Sequence, residues 1–218
     1  MSTSLTTLSA ERLTKSFSGA PLFSGLDLRL DRGLLAVAGR NGSGKTTLLK
    51  ILAGLMRPTG GRVVVERGGR ALSGEARRLA VGFAGPDLSL YAELTALENL
   101  RFFRAAAGSP AGDSELRRRL EETGLAAEAV DRPVEEFSTG MRQRLRVAFA
   151  LLFDPPVLVL DEPMSGLDTE GREIVQRVVA RARTHGPVVL ASNDERDFQA
   201  PEARIELSPI PGAGGGES

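Results

Sequence analysis

Gly39-Arg40-Asn41-Gly42-Ser43-Gly44-Lys45-Thr46 has the form G-x-x-x-x-G-K-[ST], and the fold follows from this loop and its two flanks. Before it, Leu34–Ala38 is an apolar run that stops at Gly39, as a buried strand does. After it, Lys45–Ala53 has helical spacing and closes at Gly54. Strand, glycine loop and helix in that order make an anion cradle. The glycines let the chain curl until several backbone N–H groups point at one phosphate, and the helix adds its positive end. On that reading Gly39, Asn41, Gly42, Ser43, Gly44 and Thr47 surround the phosphates of a nucleotide. Lys45 reaches the β and γ phosphates, and the Thr46 hydroxyl ligates Mg²⁺.

Further along, Val157-Leu158-Val159-Leu160 runs into Asp161-Glu162. Asp161 at the strand tip would hold Mg²⁺ through water, and Glu162, one residue beyond, would polarise an attacking water. Alone, a strand ending in two acids is explained as well by a solvated loop start. The phosphate loop about 115 residues earlier turns the reading toward a nucleotide site. Val188–Ala191 is another buried strand, and Ile174–Ala182 between the two reads as the helix of a βαβ crossover. Leu26, Leu28 and Leu30 alternate with polar residues in a half-exposed strand, Val63–Val65 is β-branched, and Arg204–Leu207 suits a final edge strand.

Between Thr95 and Phe153 the signals are helical: a capping box at Thr95-Ala96-Leu97-Glu98, a charged helix at Asp113–Glu122 and an apolar face on Met141–Phe153. The expectation is one α/β domain over residues 1–210, with a helical insertion near 87–150 and a disordered Pro/Gly-rich tail at 211–218.

Composition narrows the chemistry. The chain has no cysteine and one histidine, His185, which excludes thiolate chemistry and multi-histidine metal sites. Its 28 basic and 28 acidic residues cancel, which argues against nucleic-acid binding. Met1–Ala10 lacks the features of a signal peptide, and the longest apolar run, Val147–Phe153, is too short to span a membrane. The chain is therefore expected to be soluble and to stay where it is made.

Four motifs stand in order: the phosphate loop, Phe137-Ser138-Thr139-Gly140-Met141-Arg142-Gln143-Arg144, Leu160-Asp161-Glu162-Pro163, and Ser165-Gly166-Leu167-Asp168. Together they resemble the ATP-binding subunit of ABC transporters, with the likeness running from about Leu8 to Leu207. The resemblance implies a P-loop NTPase core with a mixed or parallel sheet, an N-terminal antiparallel β subdomain and an inserted helical subdomain. It implies ATP and Mg²⁺ as cofactors and a head-to-tail dimer with a second ATP-binding subunit, identical or different. In that dimer Ser138 and Gly140 contact the γ-phosphate held by the partner, and Asp168 lies at the interface. Phe17 falls where relatives set an aromatic ring against adenine, although a core phenylalanine reads equally well. Thr95–Leu100 would begin the helical subdomain that docks on a transmembrane permease, the sole membrane contact, at the cytoplasmic inner face of the membrane. The Phe137–Arg144 motif is similar to exporter-type ATPases of the ABC-2 and haem-exporter groups.

Two positions depart from that pattern. Pro86, with Asp87 beside it, stands where relatives carry a glutamine near Mg²⁺, and Gln143 is the first glutamine in the chain. Asn193 stands at the usual switch histidine; an amide can hydrogen-bond a γ-phosphate but carries no positive charge. The expectation is slow but real ATP hydrolysis, with Glu162 as base and Lys45 and Asn193 as phosphate contacts, driving export through a separate permease. The alternative is a nucleotide-gated dimerising module with little turnover, paired with an active ATPase. A DNA-repair or translation ATPase fits less well, because no coiled-coil insertion or zinc-binding cysteine is present.

Overall fold

A computed structural model of the protein describes residues 5–17 and 20–208. The chain runs through β1 (Thr6–Phe17), β2 (Ala20–Leu30), β3 (Gly33–Gly39), α1 (Lys45–Ala53), β4 (Gly60–Arg67), the short β5 (Arg70–Ala71), α2 (Gly74–Leu79) and β6 (Val81–Ala84). Helices α3 (Ala96–Ala106), α4 (Asp113–Glu122) and α5 (Thr139–Ala150) follow. Then come β7 (Val157–Asp161), α6 (Thr169–Arg183), β8 (Pro187–Ala191) and β9 (Ala203–Leu207). The strands form two sheets, neither of them mixed. One is antiparallel in the order β2-β1-β4-β5, and the other is parallel in the order β6-β7-β8-β3-β9.

The central parallel strands are buried on both faces, which is why they read as unbroken apolar runs. Alternate residues divide between two cores. Leu35, Val37, Val157, Val159 and Val189 pack with Leu48, Leu49 and Leu52 of α1 and with the antiparallel sheet. Leu34, Leu158, Leu160, Val188 and Leu190 face the opposite way, onto Val147 of α5 and Val175 and Val179 of α6.

β1 gives no clear alternation because the strand is bulged. Its register with both neighbours shifts near Glu11 and Arg12, and Arg12 has φ 46°, so Leu8, Ala10 and Leu13 all reach the core out of period two. β6 is hidden by Gly82. A Cβ there would come within 1.9 Å of the Ala150 carbonyl oxygen, so glycine is what lets α5 end against the strand.

The helical segment has a core of its own, built from Leu97 and Leu100 of α3, Leu116 and Leu120 of α4, and Leu145 and Ala148 of α5. Thr95 caps α3 as expected: its Oγ1 accepts the Glu98 N–H at 3.1 Å while Glu98 Oε2 accepts the Thr95 N–H at 2.9 Å. Helix α5 starts two residues before Met141 and ends at Ala150, short of Phe153. It belongs to both bodies, since Val147 and Ala150 face the parallel sheet while Leu145 and Ala148 face α3 and α4. Ser138 and Gly140 at its start are thereby fixed relative to the strand tips.

The carboxyl ends of β3, β8 and β7 lie side by side, with Val37 and Asp161 both paired at the level of Ala191. In an open parallel sheet that edge is where ligands bind. No helix of the described residues is long and apolar enough to cross a membrane. The tail expected to be disordered lies outside the described residues.

Candidate functional site

The loop after β3 curls as its glycines require. Gly39, Gly42 and Gly44 have φ of 145°, 79° and 99°, all in the left-handed region. Gly39 is also sterically obligatory, because a Cβ would stand 2.4 Å from the Leu207 carbonyl oxygen and 2.6 Å from Ser43 Oγ. Gly39→Ala should therefore lower stability by about 2–4 kcal/mol, from backbone strain and overpacking, read as a shifted midpoint in urea unfolding. The Lys45 side chain folds back over the loop. Its ammonium donates to Gly39 O at 2.7 Å and to Asn193 Oδ1 at 2.7 Å, and lies 4.0 Å from Glu162 Oε1.

Asp161 ends β7 beside this loop and is 1% exposed. Both carboxylate oxygens are buried with no hydrogen-bond donor in bonding geometry. Burial pushes its carboxyl above the usual range, opposed by the nearby Thr46 hydroxyl, which favours the ionised form without completing a bond, and by Lys45. The folded chain thus holds this proton more tightly than the unfolded one. Ionisation of Asp161 costs stability as pH rises through the carboxylate range, and the cost is absent below it.

A buried, donorless carboxylate beside a hydroxyl is a hard-oxygen set that suits Mg²⁺. Among the described residues no group of three or more His, Cys, Asp or Glu could hold a metal; the side chains that would meet Mg²⁺ are Asp161 and Thr46. Asp161→Asn should raise the melting temperature of the nucleotide-free protein, by about 2–4 °C for each kcal/mol relieved. The same substitution should abolish the Mg²⁺ dependence of nucleotide binding, measured by titration with and without chelator.

Glu162 follows with φ 49°, a left-handed turn rare for glutamate. Its N–H donates to Ala191 O at 2.9 Å, and Gln143 of α5 donates to its carbonyl at 3.2 Å. The turn swings the side chain from the sheet into the cleft. Burial raises its carboxyl above the usual range, against the Asn193 backbone N–H and the Lys45 charge. Asn193 completes the arrangement: besides accepting from Lys45, its amide donates to Asn41 Oδ1 at 2.7 Å, spanning the mouth of the phosphate loop.

These groups line a cleft of about 350 Å³ together with Gly42, Gly44, Thr46 and Thr47. Gly39 and Ser43 shape the loop from behind. Phe17 is half exposed at the rim, with the Lys15 ammonium 4.8 Å from its ring centroid, and it belongs to no core cluster. A larger cleft of about 610 Å³ lies at the opposite ends of the strands, around Pro156 and His185, and contains none of the predicted site residues.

Besides Gly39 and Ser43, three expected site residues lie outside the cleft of about 350 Å³. Ser138 is the exposed N-cap of α5, accepting the Met141 N–H at 3.2 Å. Gly140 packs on the 165–168 loop, where a Cβ would stand 3.3 Å from Gly166 O. Asp168 caps α6 through the Gly171 N–H at 2.8 Å and pairs with Arg144 at 3.0 Å. Pro86 is exposed on the loop after β6, and its neighbour Asp87 pairs with Lys50 of α1.

Sequence reading missed the support given by Gln143, and it missed a buried network joining Ser192, Asp197 and Arg172 behind Glu162. The signal for Gln143 was its place within the Phe137–Arg144 motif; the network had none, because its members come together only in three dimensions.

Comparison with known families gives a match over residues 23–165 to the model described as ABC transporter. The chain belongs to the ABC transporter family. It is an ATP-binding subunit of that family, with the antiparallel sheet, parallel sheet and helical subdomain of the cassette fold. It is 32% identical over 199 residues to the cytochrome c biogenesis ATP-binding export protein CcmA of Vibrio cholerae, covering 90% of this chain and 96% of that one. It is 36% identical over 214 residues to the taurine import ATP-binding protein TauB of Pseudomonas entomophila, covering 94% and 80%. In fold it resembles a bacterial ABC transporter cassette solved as a dimer, with a TM-score of 0.79 at 22% identity over 92% of this chain and 94% of the other.

Proposed function

We propose that this ABC subunit binds Mg-ATP between the Lys45 loop and Asp161 and hydrolyses it with Glu162 as general base, powering export through a transmembrane permease. The observation that carries the reading is the convergence of a pre-aimed Lys45 with two adjacent carboxylates, of which both Asp161 oxygens and Glu162 Oε1 are buried without a hydrogen-bond donor. Loop N–H groups and the end of α1 hold the phosphates, and Lys45 neutralises the β–γ bridge. Thr46 and Asp161 would hold Mg²⁺, whose charge would offset that developing on the phosphates. Glu162, turned into the cleft, orients a water and takes its proton as the oxygen attacks the γ-phosphorus; the bond to the β–γ bridging oxygen breaks, and ADP leaves with that oxygen.

Ser138 and Gly140 lie apart from their own chain's cleft, which fits a composite site completed head-to-tail by a second ATP-binding subunit, same or different. The exposed Tyr91 and Phe102, 4.9 Å apart beside a groove of about 450 Å³ that includes Pro86 and Asp87, suit docking of the permease. The subunit would then sit on the cytoplasmic face of the membrane, attached through that partner. The export direction rests on the Phe137–Arg144 motif and on the likeness to an export protein.

A second reading, nucleotide gating with little turnover, is favoured by Asn193 and Pro86, neither of which supplies the usual polar group. Asn193→His decides how much that matters. Restoring a chargeable contact should speed phosphate release about 10-fold or more, measured with saturating Mg-ATP. An unchanged rate in a variant that still binds ATP would count against Asn193 as the slow point.

A further inference from the structure

Ser192 has one hydroxyl proton and two carboxylates that could accept it. Its Oγ lies 2.6 Å from Asp197 Oδ2 and 3.4 Å from Glu162 Oε2, and already accepts the Asp194 N–H at 3.0 Å. A serine hydroxyl donates once, so the shorter contact takes the proton. Ser192 and Asp197 are 1% and 4% exposed, and no solvent competes for the bond. Asp197 is fixed from the other side by Arg172 of α6, whose Nη2 donates to it at 2.5 Å and to Asp194 at 3.0 Å. Glu162 Oε1 is meanwhile buried without any hydrogen-bond partner.

The geometry points to Asp197 as a positioning residue for hydrolysis: by claiming the Ser192 proton it keeps that hydroxyl from capturing Glu162. Were Ser192 free, its O–H would donate to Glu162 Oε2. The carboxylate would be drawn toward β8, and an acceptor site needed by the attacking water would be occupied. Arg172 holds Asp197 in place, so α6 is tied to the base through two side chains. The inference rests on Glu162 being the general base.

Variants of the full chain test it, by steady-state phosphate release and ATP binding. Asp197→Ala should lower kcat about 10-fold, part of what a fully lost base costs, with ATP affinity held within about 2-fold. Ser192→Ala should stay near wild type, and Ser192→Ala combined with Asp197→Ala should recover most of the lost rate. Asp197→Asn, which keeps the packing, should move the same way by a smaller factor and be rescued equally by Ser192→Ala; it is read if Asp197→Ala does not fold. A double variant as slow as the Asp197 single variant overturns the proposal, as does a fall in ATP affinity matching the fall in rate. Glu162→Gln separates the two levels: full activity there removes the general-base reading itself, whereas an inactive Glu162→Gln beside an unaffected Asp197→Ala removes the positioning role alone.

Discussion

Lys45→Ala should weaken ATP binding by about 10- to 100-fold, the value of a charge-assisted contact to phosphate, while leaving the protein folded. Lys45 is 6% exposed, and its side chain is already aimed across the loop by bonds of 2.7 Å to Gly39 O and to Asn193 Oδ1. Little ordering remains to be done on binding, so most of the lost affinity should reflect the missing charge. The ammonium's partners are Gly39 O, Arg40 O, Asn193 Oδ1 and Glu162 Oε1, and removing a largely buried cation relieves a desolvation cost. Titration of wild type and variant with Mg-ATP, alongside thermal melts, checks both halves. Equal affinities would mean the phosphates are held elsewhere.

Glu162→Gln should lower phosphate release by about 10²- to 10⁴-fold, the contribution of a positioned general base, with ATP affinity kept. Glutamine has nearly the same shape, and the backbone contacts that set the φ 49° turn, to Ala191 O and from Gln143, do not involve the carboxylate. The geometry of the cleft therefore survives and only the proton acceptor is lost. ATP should accumulate unhydrolysed on the variant. A parallel fall in binding would instead show that the side chain holds the turn together.

The fold was legible where local chemistry and tertiary need agree. Lys45–Ala53 and Asp113–Glu122 are helices over the residues expected, because glycine ends the first and charge patterning outlines the second. The buried strands at Leu34, Val157 and Val188 followed from apolar runs that only a two-faced core explains. β1 escaped because a bulge at Glu11–Arg12 breaks its alternation, and β6 because Gly82 makes way for the end of α5. α2 is six residues long and buries none of them, so no apolar face marks it in the sequence. At the site, the loop and the acidic strand tip were readable as motifs. The left-handed turn at Glu162 and the Ser192–Asp197–Arg172 network were not, since they depend on where β8 and α6 lie beside β7.

Glu162 is proposed as the group that activates water for ATP hydrolysis. The most direct test is release of labelled phosphate from γ-labelled ATP by the wild-type chain with Mg²⁺, beside Glu162→Gln at equal ATP occupancy. Measurable release is expected from the wild type and none above background from the variant. Equal release, or none from either protein with ATP bound to both, would contradict it.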